Sequence, residues 1–232
     1  MKRLLVIDNG IWEDIYRPTE HWTSVAGCDH EAVRPPLGGF PDDAAIGRAT
    51  HVVVTGSEAS INGDDEWILR VCDLVRDLAA RRVPILGSCF GHQLVVRALS
   101  GKEFVRASPT PEFGWVEVER CPEADADPLL AALPSPFHCF SAHFDEVSPL
   151  PDGWIRLARS GRCENAAVRR REGPVWGVQH HPEIDFENAR VLMEGEMARM
   201  PPEACERMLA AMQPEPRDSG VLAALVAAFL RT

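Results

Sequence analysis

The chain has 232 residues, 45% hydrophobic and 25% charged, which is enough for one α/β domain with a full core. Its 35 acidic and 24 basic side chains give a net charge of -11, which argues against a nucleic-acid or anionic-membrane surface. The seven cysteines are scattered without a C-x-x-C pair, and no apolar stretch approaches the roughly 20 residues of a membrane span. We therefore expect a cytoplasmic protein with reduced cysteines and neither a nucleic-acid nor a membrane partner.

The first half of the chain alternates between strand and helix patterns. Apolar runs at 4–7, 51–55 and 83–86 predict strands that are buried on both faces. Apolar residues at helical spacing predict helices over 64–82 and 90–99. This alternation predicts a parallel sheet covered by helices.

The second half contains short alternating strands separated by proline, glycine and aspartate. Strands are predicted, in chain order, at 114–119, 137–141, 154–158, 166–170 and 175–179. We expect these strands to form antiparallel additions to the parallel sheet.

The C-terminal part is predicted to be helical at 188–200 and 202–212. The segment 213–220, Q-P-E-P-R-D-S-G, is typical of a linker. The last helix, 221–230, has no polar face, so it either packs on the domain or contacts a partner. We therefore expect one domain at 1–212, followed at 213–232 by a linker and a short apolar helix.

The motif V-P-I-L-G-S-C-F-G-H-Q at 83–93 predicts a nucleophile. Cys89 lies two residues after Gly87 and two before Gly91, between a predicted strand and a predicted helix. This is the pattern of a nucleophile elbow with cysteine in place of serine. The glycines are needed because a sharp strand-to-helix turn leaves no room for a Cβ beside the nucleophile.

A second motif, Q-H-H-P-E at 179–183, supplies a candidate base for this cysteine. Its proline favours an extended backbone, in which His181 and Glu183 share a side and the preceding histidine faces the other way. A His-x-Glu pair alone is equally typical of metal ligands or a surface pair. A cysteine nucleophile needs a base and a carboxylate that orients it, so the two motifs together predict a Cys89, His181 and Glu183 triad.

The two motifs resemble the paired signatures of class I glutamine amidotransferases, G-x-C-x-G-H-Q and Q-x-H-P-E. The resemblance extends to T-G-S at 55–57, E-F-G-W at 112–115 and A-H-F-D-E-V at 142–147. These three stretches are most similar to free-standing members related to the glutaminase domain of GMP synthetase. The resemblance covers about 51–190 and implies a single three-layer, flavodoxin-like α/β domain with a mostly parallel central sheet and antiparallel additions.

The resemblance also implies a mechanism that needs no cofactor and no metal. Cys89 would attack the glutamine side-chain amide and form a γ-glutamyl thioester. His181, held by Glu183, would protonate the departing ammonia and then activate water. The backbone N–H groups of Gly56 and Phe90 would form the oxyanion hole.

The substrate-binding residues implied by the resemblance are Gln93, Ala142, His143, Phe144 and Asp145. Three positions depart from the family pattern: Glu58 stands where proline is frequent, His180 where phenylalanine or tyrosine is usual, and Phe144 where a small residue is common. A bulky Phe144 would reshape the pocket for the amino-acid end of the substrate. The substrate is therefore expected to be glutamine or another γ-glutamyl compound.

Three functions remain open at this point. The first is a glutaminase that supplies ammonia to a synthetase chain in trans, since the sequence has no P-loop or dinucleotide-binding fingerprint for an acceptor domain. The second is a γ-glutamyl hydrolase or peptidase that acts without a partner. The third is a catalytically silent regulatory relative, which the intact Cys89, His181 and Glu183 disfavour.

Overall fold

The computed structural model describes residues 1–212 and 217–232 and contains a nine-stranded sheet. The strands are β1 (Arg3–Ile7), β2 (Asp29–Val33), β3 (His51–Val54), β4 (Ile85–Ser88), β5 (Val105–Arg120), β6 (Phe137–Val147), β7 (Trp154–Ser160), β8 (Ala167–Arg170) and β9 (Val175–Val178). The helices are α1 (Pro18–Thr23), α2 (Asp43–Arg48), α3 (Glu66–Ala80), α4 (Phe90–Ser100), α5 (Phe186–Met197), α6 (Pro202–Ala211) and α7 (Leu222–Phe229). The first four residues of the predicted linker at 213–220 lie outside the described residues.

The strand order in the sheet is β2-β1-β3-β4-β9-β8-β7-β5-β6. The neighbours among β2, β1, β3, β4 and β9 pair in parallel. The neighbours among β9, β8, β7, β5 and β6 pair in antiparallel orientation. The expected α/β class is confirmed, and the antiparallel half is as wide as the parallel half. This topology places the end of β4 directly beside the end of β9.

Both faces of the parallel half are buried, because alternate residues of each strand point into different cores. Leu5 and Ile7 of β1 pack with apolar side chains of α3 and α4. Leu4 and Val6 belong to a second core, to which α7 contributes Leu225 and Phe229 among other residues. The apolar helix α7 therefore lies on the sheet. Within the described parts of the chain, no helix is long and apolar enough to cross a membrane.

Three elements were not predicted from the sequence. The edge strand β2 has the sequence D-H-E-A-V and is largely exposed, so it lacks the apolar pattern on which strand prediction depends. The helices α1 and α2 have six residues each, too few to show a helical period. The structure also extends β5 and β6 beyond their predicted limits, because the two strands pair with each other on both sides of a register shift.

Candidate active site

Cys89 lies between β4 and α4 in a strained backbone conformation. Its φ of 49° and ψ of -107° put it in the positive-φ region, where only one other non-glycine residue of the described chain, Arg82, is found. The Cys89 N–H donates to Val178 O of β9 at 2.9 Å. A residue keeps such an unfavourable conformation only where the surrounding structure holds it there, as in a nucleophile elbow.

The glycines beside Cys89 are required by close backbone contacts. A Cβ on Gly87 would overlap the backbone carbonyl of Gly91. A Cβ on Gly91 would in turn overlap the carbonyl of Val54 at the end of β3. The start of α4 is therefore pressed against the ends of two neighbouring strands, which positions the cysteine.

His181 and Glu183 follow β9 and lie beside Cys89. His181 Nδ1 is 2.8 Å from Glu183 Oε1, and both side chains are buried. Burial alone lowers the pKa of His181, but the negative charges of Cys89 and Glu183 outweigh it and hold this pKa well above its usual range. The two negative charges therefore favour the protonated imidazole, which is the form that can donate a proton.

Two further side chains hold the Glu183 carboxylate, and sequence reasoning missed both. Tyr16 donates its hydroxyl hydrogen to Glu183 Oε1 at 2.7 Å, and its ring meets the His181 ring edge to face. The Ser88 hydroxyl donates to Glu183 Oε2 at 3.4 Å. Ser88 was within the elbow motif, whereas Tyr16 lies 167 residues from Glu183 with no local pattern to mark it.

The structure places both residues of the predicted oxyanion hole next to the cysteine and histidine. Phe90 directly follows Cys89 as the first residue of α4. Gly56 lies so close to the His181 ring that a Cβ there would come within 2.6 Å of its Cε1 atom. The predicted use of these two backbone N–H groups remains a prediction.

Gln93 lies one helical turn after the cysteine and connects α4 to two other elements. Its Nε2 donates to Asp145 O of β6 at 2.7 Å and to Gln179 Oε1 at 3.1 Å. The Gln179 amide in turn donates to the Cys89 sulfur at 3.7 Å. Gln179 was visible in the second motif but was not predicted to contact the nucleophile.

The predicted segment at 142–145 lines a cavity beside Cys89, and its polar side chains bond to other parts of the protein. The Asp145 carboxylate accepts hydrogen bonds from the Ser60 hydroxyl, the Ile61 N–H and the Asn62 amide, and thereby holds the loop after β3. The His143 ring is 3.5 Å from Glu112 and 2.9 Å from the Asp145 carbonyl oxygen.

The other two residues of this segment contact the Cys89 sulfur and an aromatic side chain. The Cys89 sulfur lies 3.6 Å from Ala142 O. Phe144 packs edge to face on Phe113 and lies under the guanidinium of Arg207 from α6. Phe144 therefore forms part of the cavity wall.

Cys89 lies in the wall of a cavity of about 360 Å³, within the range of small-molecule sites. Its lining includes Cys89, Gln93 and Phe144, with Trp12 and Arg207 from distant parts of the chain. A larger cavity of about 740 Å³ lies at the opposite ends of the strands, around Met1, Thr50 and Pro84. Open parallel sheets bind ligands at the carboxyl ends of their strands, so the smaller cavity with the cysteine is the candidate site.

Two carboxylates in this cavity were not predicted as site residues. Glu196 of α5 is only 8% exposed, and burial, with a smaller effect of Glu58, raises its pKa to about 7. Glu58 accepts hydrogen bonds from the N–H groups of Ile11 and Trp12, and burial raises its pKa as well. Glu196 is a charged residue of a helix, and nothing in the sequence indicates that its side chain faces a cavity instead of solvent.

The raised pKa of Glu196 predicts a pH-dependent effect on stability. In the unfolded chain this carboxyl ionises near pH 4.5, whereas in the folded protein it resists ionisation up to about pH 7. Its contribution to folding therefore becomes less favourable as the pH rises from about 4.5 to 7. We expect Glu196→Gln to be more stable than the wild type by roughly 3 kcal/mol at pH 8, with little difference at pH 4.5.

Urea denaturation at the two pH values measures this difference. The matched control is Glu194→Gln on the same helix, an exposed residue that pairs with Arg190. Its effect is expected to stay within about 0.5 kcal/mol at both pH values. Destabilisation by Glu196→Gln at pH 8 would contradict the burial of an unfavourable charge.

Two more histidines lie near the site and are kept neutral. Burial lowers the pKa of His92 to about 3 and that of His180 to about 4. The His92 ring packs against Gly177 of β9, and the His180 ring packs on Phe137. In residues 1–212 and 217–232, no group of three His, Cys, Asp or Glu side chains is arranged to hold a metal ion.

Comparison with protein families places this site in a known context. Residues 63–194, more than half of the chain, match the family model of class-I glutamine amidotransferases. The chain is 35% identical over 139 residues to a glutamine-hydrolyzing GMP synthase subunit of Methanopyrus kandleri, covering 60% of this chain and 69% of that protein. It is 42% identical over 112 residues to the corresponding subunit of Methanosarcina mazei, covering 48% of this chain and 55% of the relative. The chain thus spans only about half to two thirds of the length of these relatives.

Solved structures show the same fold over nearly the whole chain. A glutamine amidotransferase from Thermotoga maritima superposes with a TM-score of 0.75 at 20% identity, covering 99% of this chain and 96% of that one. A protein from Thermoplasma acidophilum that is assigned as a GMP synthase subunit superposes with a TM-score of 0.67 at 22% identity, covering 86% and 98%. At these identities the similarity establishes the fold.

Proposed function

Because this chain belongs to the class I glutamine amidotransferase family, we propose that it hydrolyses the side-chain amide of glutamine to glutamate and ammonia. The observation that carries the proposal is the position of Cys89 in the cavity wall, with the His181 ring within hydrogen-bond reach of the sulfur and in turn 2.8 Å from Glu183. The cysteine follows β4 and the other two follow β9, and these strands are neighbours in the sheet. A nucleophile, a proton carrier and an orienting carboxylate are thus brought together at the carboxyl ends of the strands.

In the proposed first half-reaction, the Cys89 sulfur attacks the amide carbon of the substrate. The tetrahedral intermediate collapses to a γ-glutamyl thioester as the carbon–nitrogen bond breaks, and His181 gives its proton to the departing ammonia. In the second half-reaction, His181 takes a proton from water, which attacks the thioester and releases glutamate and the cysteine. Glu183 keeps the imidazole oriented in both steps.

Two backbone N–H groups are proposed to stabilise the negative charge that develops on the substrate oxygen. They belong to Phe90, at the start of α4, and Gly56, beside the His181 ring. Such donors each contribute on the order of 10²-fold or more to the rate. Gln93 and the segment 142–145 are proposed to hold the remainder of the substrate, which is supported by their position in the cavity wall.

The ammonia is proposed to serve a separate synthetase chain. This is supported by the relatives from the two methanogens, whose names describe one subunit of a glutamine-hydrolyzing GMP synthase. The chain is proposed to act in the cytoplasm, which agrees with seven cysteines that are all unpaired. We further propose residues 1–212 as the amidotransferase domain, with 213–232 as a linker and a helix that packs on it.

The experiment that tests this function measures ammonia and glutamate released by the purified chain, alone and mixed with a candidate synthetase. We expect glutamine hydrolysis that increases when the correct synthetase is present. A γ-glutamyl dipeptide is assayed in parallel, since faster hydrolysis of the peptide than of glutamine would favour the partner-independent hydrolase. Absence of turnover on both substrates, with and without the synthetase, would favour the catalytically silent alternative.

Tyr16 is proposed as a positioning residue for the Glu183 carboxylate, and Tyr16→Phe tests this. The phenylalanine keeps the ring on His181 but removes the hydrogen bond to Glu183. We expect kcat for glutamine to fall about tenfold with little change in KM, because the lost bond orients the base without touching the substrate. The Tyr16 hydrogen bond helps His181 to lower the pKa of Glu183 against the effect of burial, so the acidic limb of the pH profile should move to higher pH.

The control for Tyr16→Phe is the melting temperature of the variant. A variant that keeps the wild-type kcat and the wild-type acidic limb would show that Tyr16 only fills space.

A further inference from the structure

Glu196 presents an unpartnered, almost fully buried carboxyl group to the active-site cavity. It is 8% exposed, lines the cavity together with Cys89, and its side chain forms no hydrogen bond or ion pair with the described residues. Burying an acid without a partner is costly, and such groups are normally paired. The arrangement therefore indicates that a partner comes from the contents of the cavity.

A second carboxylate lies in the same part of the cavity. Glu58 lines the cavity as well, and the N–H groups of Ile11 and Trp12 hold its two oxygens in place. Glu58 and Glu196 line the same cavity, and the negative charge of Glu58 adds to the effect of burial, the main cause of the raised pKa of Glu196. Two fixed acidic groups in one cavity attract a cation.

No lysine or arginine of residues 1–212 and 217–232 pairs with these acids, although the charge of His181 favours the ionised form of Glu196. Arg207, which also lines the cavity, lies over the Phe144 ring and forms no ion pair with the described part of the chain. Neither Glu58 nor Glu196 has a salt bridge to any lysine or arginine among residues 1–212 and 217–232. Among the described residues, the two acids of the cavity thus have no basic side chain bonded to them.

We propose that Glu196 and Glu58 form a subsite for a primary ammonium group of the γ-glutamyl substrate. The inference rests on the proposed function, since it assumes that γ-glutamyl compounds enter this cavity. Ammonium groups form charge-assisted hydrogen bonds with carboxylates, and binding would draw Glu196 into its ionised form. The subsite adds a specificity determinant that lies outside residues 63–194, because Glu196 follows that region and Glu58 precedes it.

Two ammonium groups have the required chemistry. One is the α-ammonium of the γ-glutamyl moiety, which every such substrate carries. The other is a cationic group on the leaving amine of a larger conjugate. The second source is included because His181 is the proposed proton donor to the leaving group and is near both acids in two respects. Gly56, two residues before Glu58, lies beside the His181 ring, and the charge of His181 acts on Glu196.

The test measures binding by calorimetry in a Cys89→Ser background, so that no turnover is needed. Two matched ligand pairs differ by one ammonium group each. L-glutamine is compared with 5-amino-5-oxopentanoate, which lacks the α-ammonium, and the γ-glutamyl amide of 1,4-diaminobutane is compared with that of butylamine. Glu196→Gln and Glu58→Gln are introduced separately, with Glu194→Gln as the control on the exposed face of α5.

The expected result is that Glu196→Gln weakens binding about tenfold or more for the ligand that carries the relevant ammonium group, and leaves its uncharged counterpart unchanged. A loss confined to L-glutamine relative to 5-amino-5-oxopentanoate assigns the α-ammonium. A loss confined to the diamine conjugate relative to the butylamide assigns the leaving amine. Glu58→Gln should produce a smaller loss on the same ligand, and Glu194→Gln should produce none.

Other outcomes overturn the subsite, and they are distinguishable from failure of the proposed function. If each of the four ligands binds Glu196→Gln as tightly as it binds the Cys89→Ser parent, while the wild type hydrolyses glutamine, the subsite is rejected and the proposed function is kept. If the parent binds none of the ligands, the cavity is not a γ-glutamyl site and the proposal falls with the function. Equal weakening of charged and uncharged ligands would show that Glu196 acts only through the shape of the cavity.

Discussion

Replacement of Cys89 by alanine is expected to lower the rate of glutamine hydrolysis by roughly 10⁴-fold or more, because removal of the nucleophile from such a triad leaves only the residual effect of binding and oxyanion stabilisation. The sulfur has no substitute in the cavity: the other lining residues include no second cysteine. The fold should be retained, since alanine keeps the Cβ and the backbone bond to Val178 O.

A glutamine analogue that carries an electrophilic diazoketone provides an independent readout. The wild type should gain one covalent label, located on Cys89 by mass spectrometry, and Cys89→Ala should gain none. Cys121→Ala is the matched control, because Cys121 is half-buried and lies outside the cavity. Labelling of Cys89→Ala at the wild-type rate would place the nucleophile elsewhere and reject the proposed mechanism.

Replacement of Gly91 by alanine is expected to have the largest effect on folding. The added Cβ would overlap the carbonyl of Val54, and β3 cannot move away because it pairs with β1 and β4 on its two sides. The clash involves backbone on both sides, so a change of side-chain rotamer cannot relieve it. We expect a loss of more than about 4 kcal/mol in the free energy of unfolding, or no folded protein at all.

The control for this variant is Gly47→Ala, which tests the same chemical change without the contact. Gly47 is an exposed residue of α2 with no heavy atom within 4 Å of the added Cβ. Alanine is the better helix former, so this variant should gain about 0.5–1 kcal/mol in urea denaturation. If Gly91→Ala unfolded at the same urea concentration as the wild type, the close contact between α4 and β3 would be wrong.

The helix and strand patterns predicted the α/β class because they reflect local rules. The apolar runs that became β1, β3 and β4 are buried on both faces, and such strands show in the sequence as continuous apolar residues. The edge strand β2 could not be predicted, since it is polar and its pairing with β1 provides its stability. The full lengths of β5 and β6 could not be predicted either, since the pairing between these two strands extends them beyond their alternating patterns.

Some residues of the candidate site were predicted from the sequence, whereas others were found only in the structure. Cys89, His181 and Glu183 were predicted because each lies in a short motif whose spacing reflects local geometry, a turn in one case and an extended chain in the other. Tyr16 and Glu196 were not predicted, because they reach the site from elements far away in the chain. Their partners are determined by how those elements pack on the sheet.

The sequence by itself therefore determined the family, the α/β class and the identity of the candidate nucleophile, base and orienting carboxylate, because all of these depend on residues close together in the chain. The tertiary structure alone decided what surrounds them: the hydrogen bond from Tyr16 to Glu183, the packing of Phe144 on Phe113, and the position of Glu58 and Glu196 in one cavity. The physical reason is that contacts between distant segments depend on the order of the strands in the sheet and on the packing of helices against it, neither of which leaves a periodic trace in the sequence.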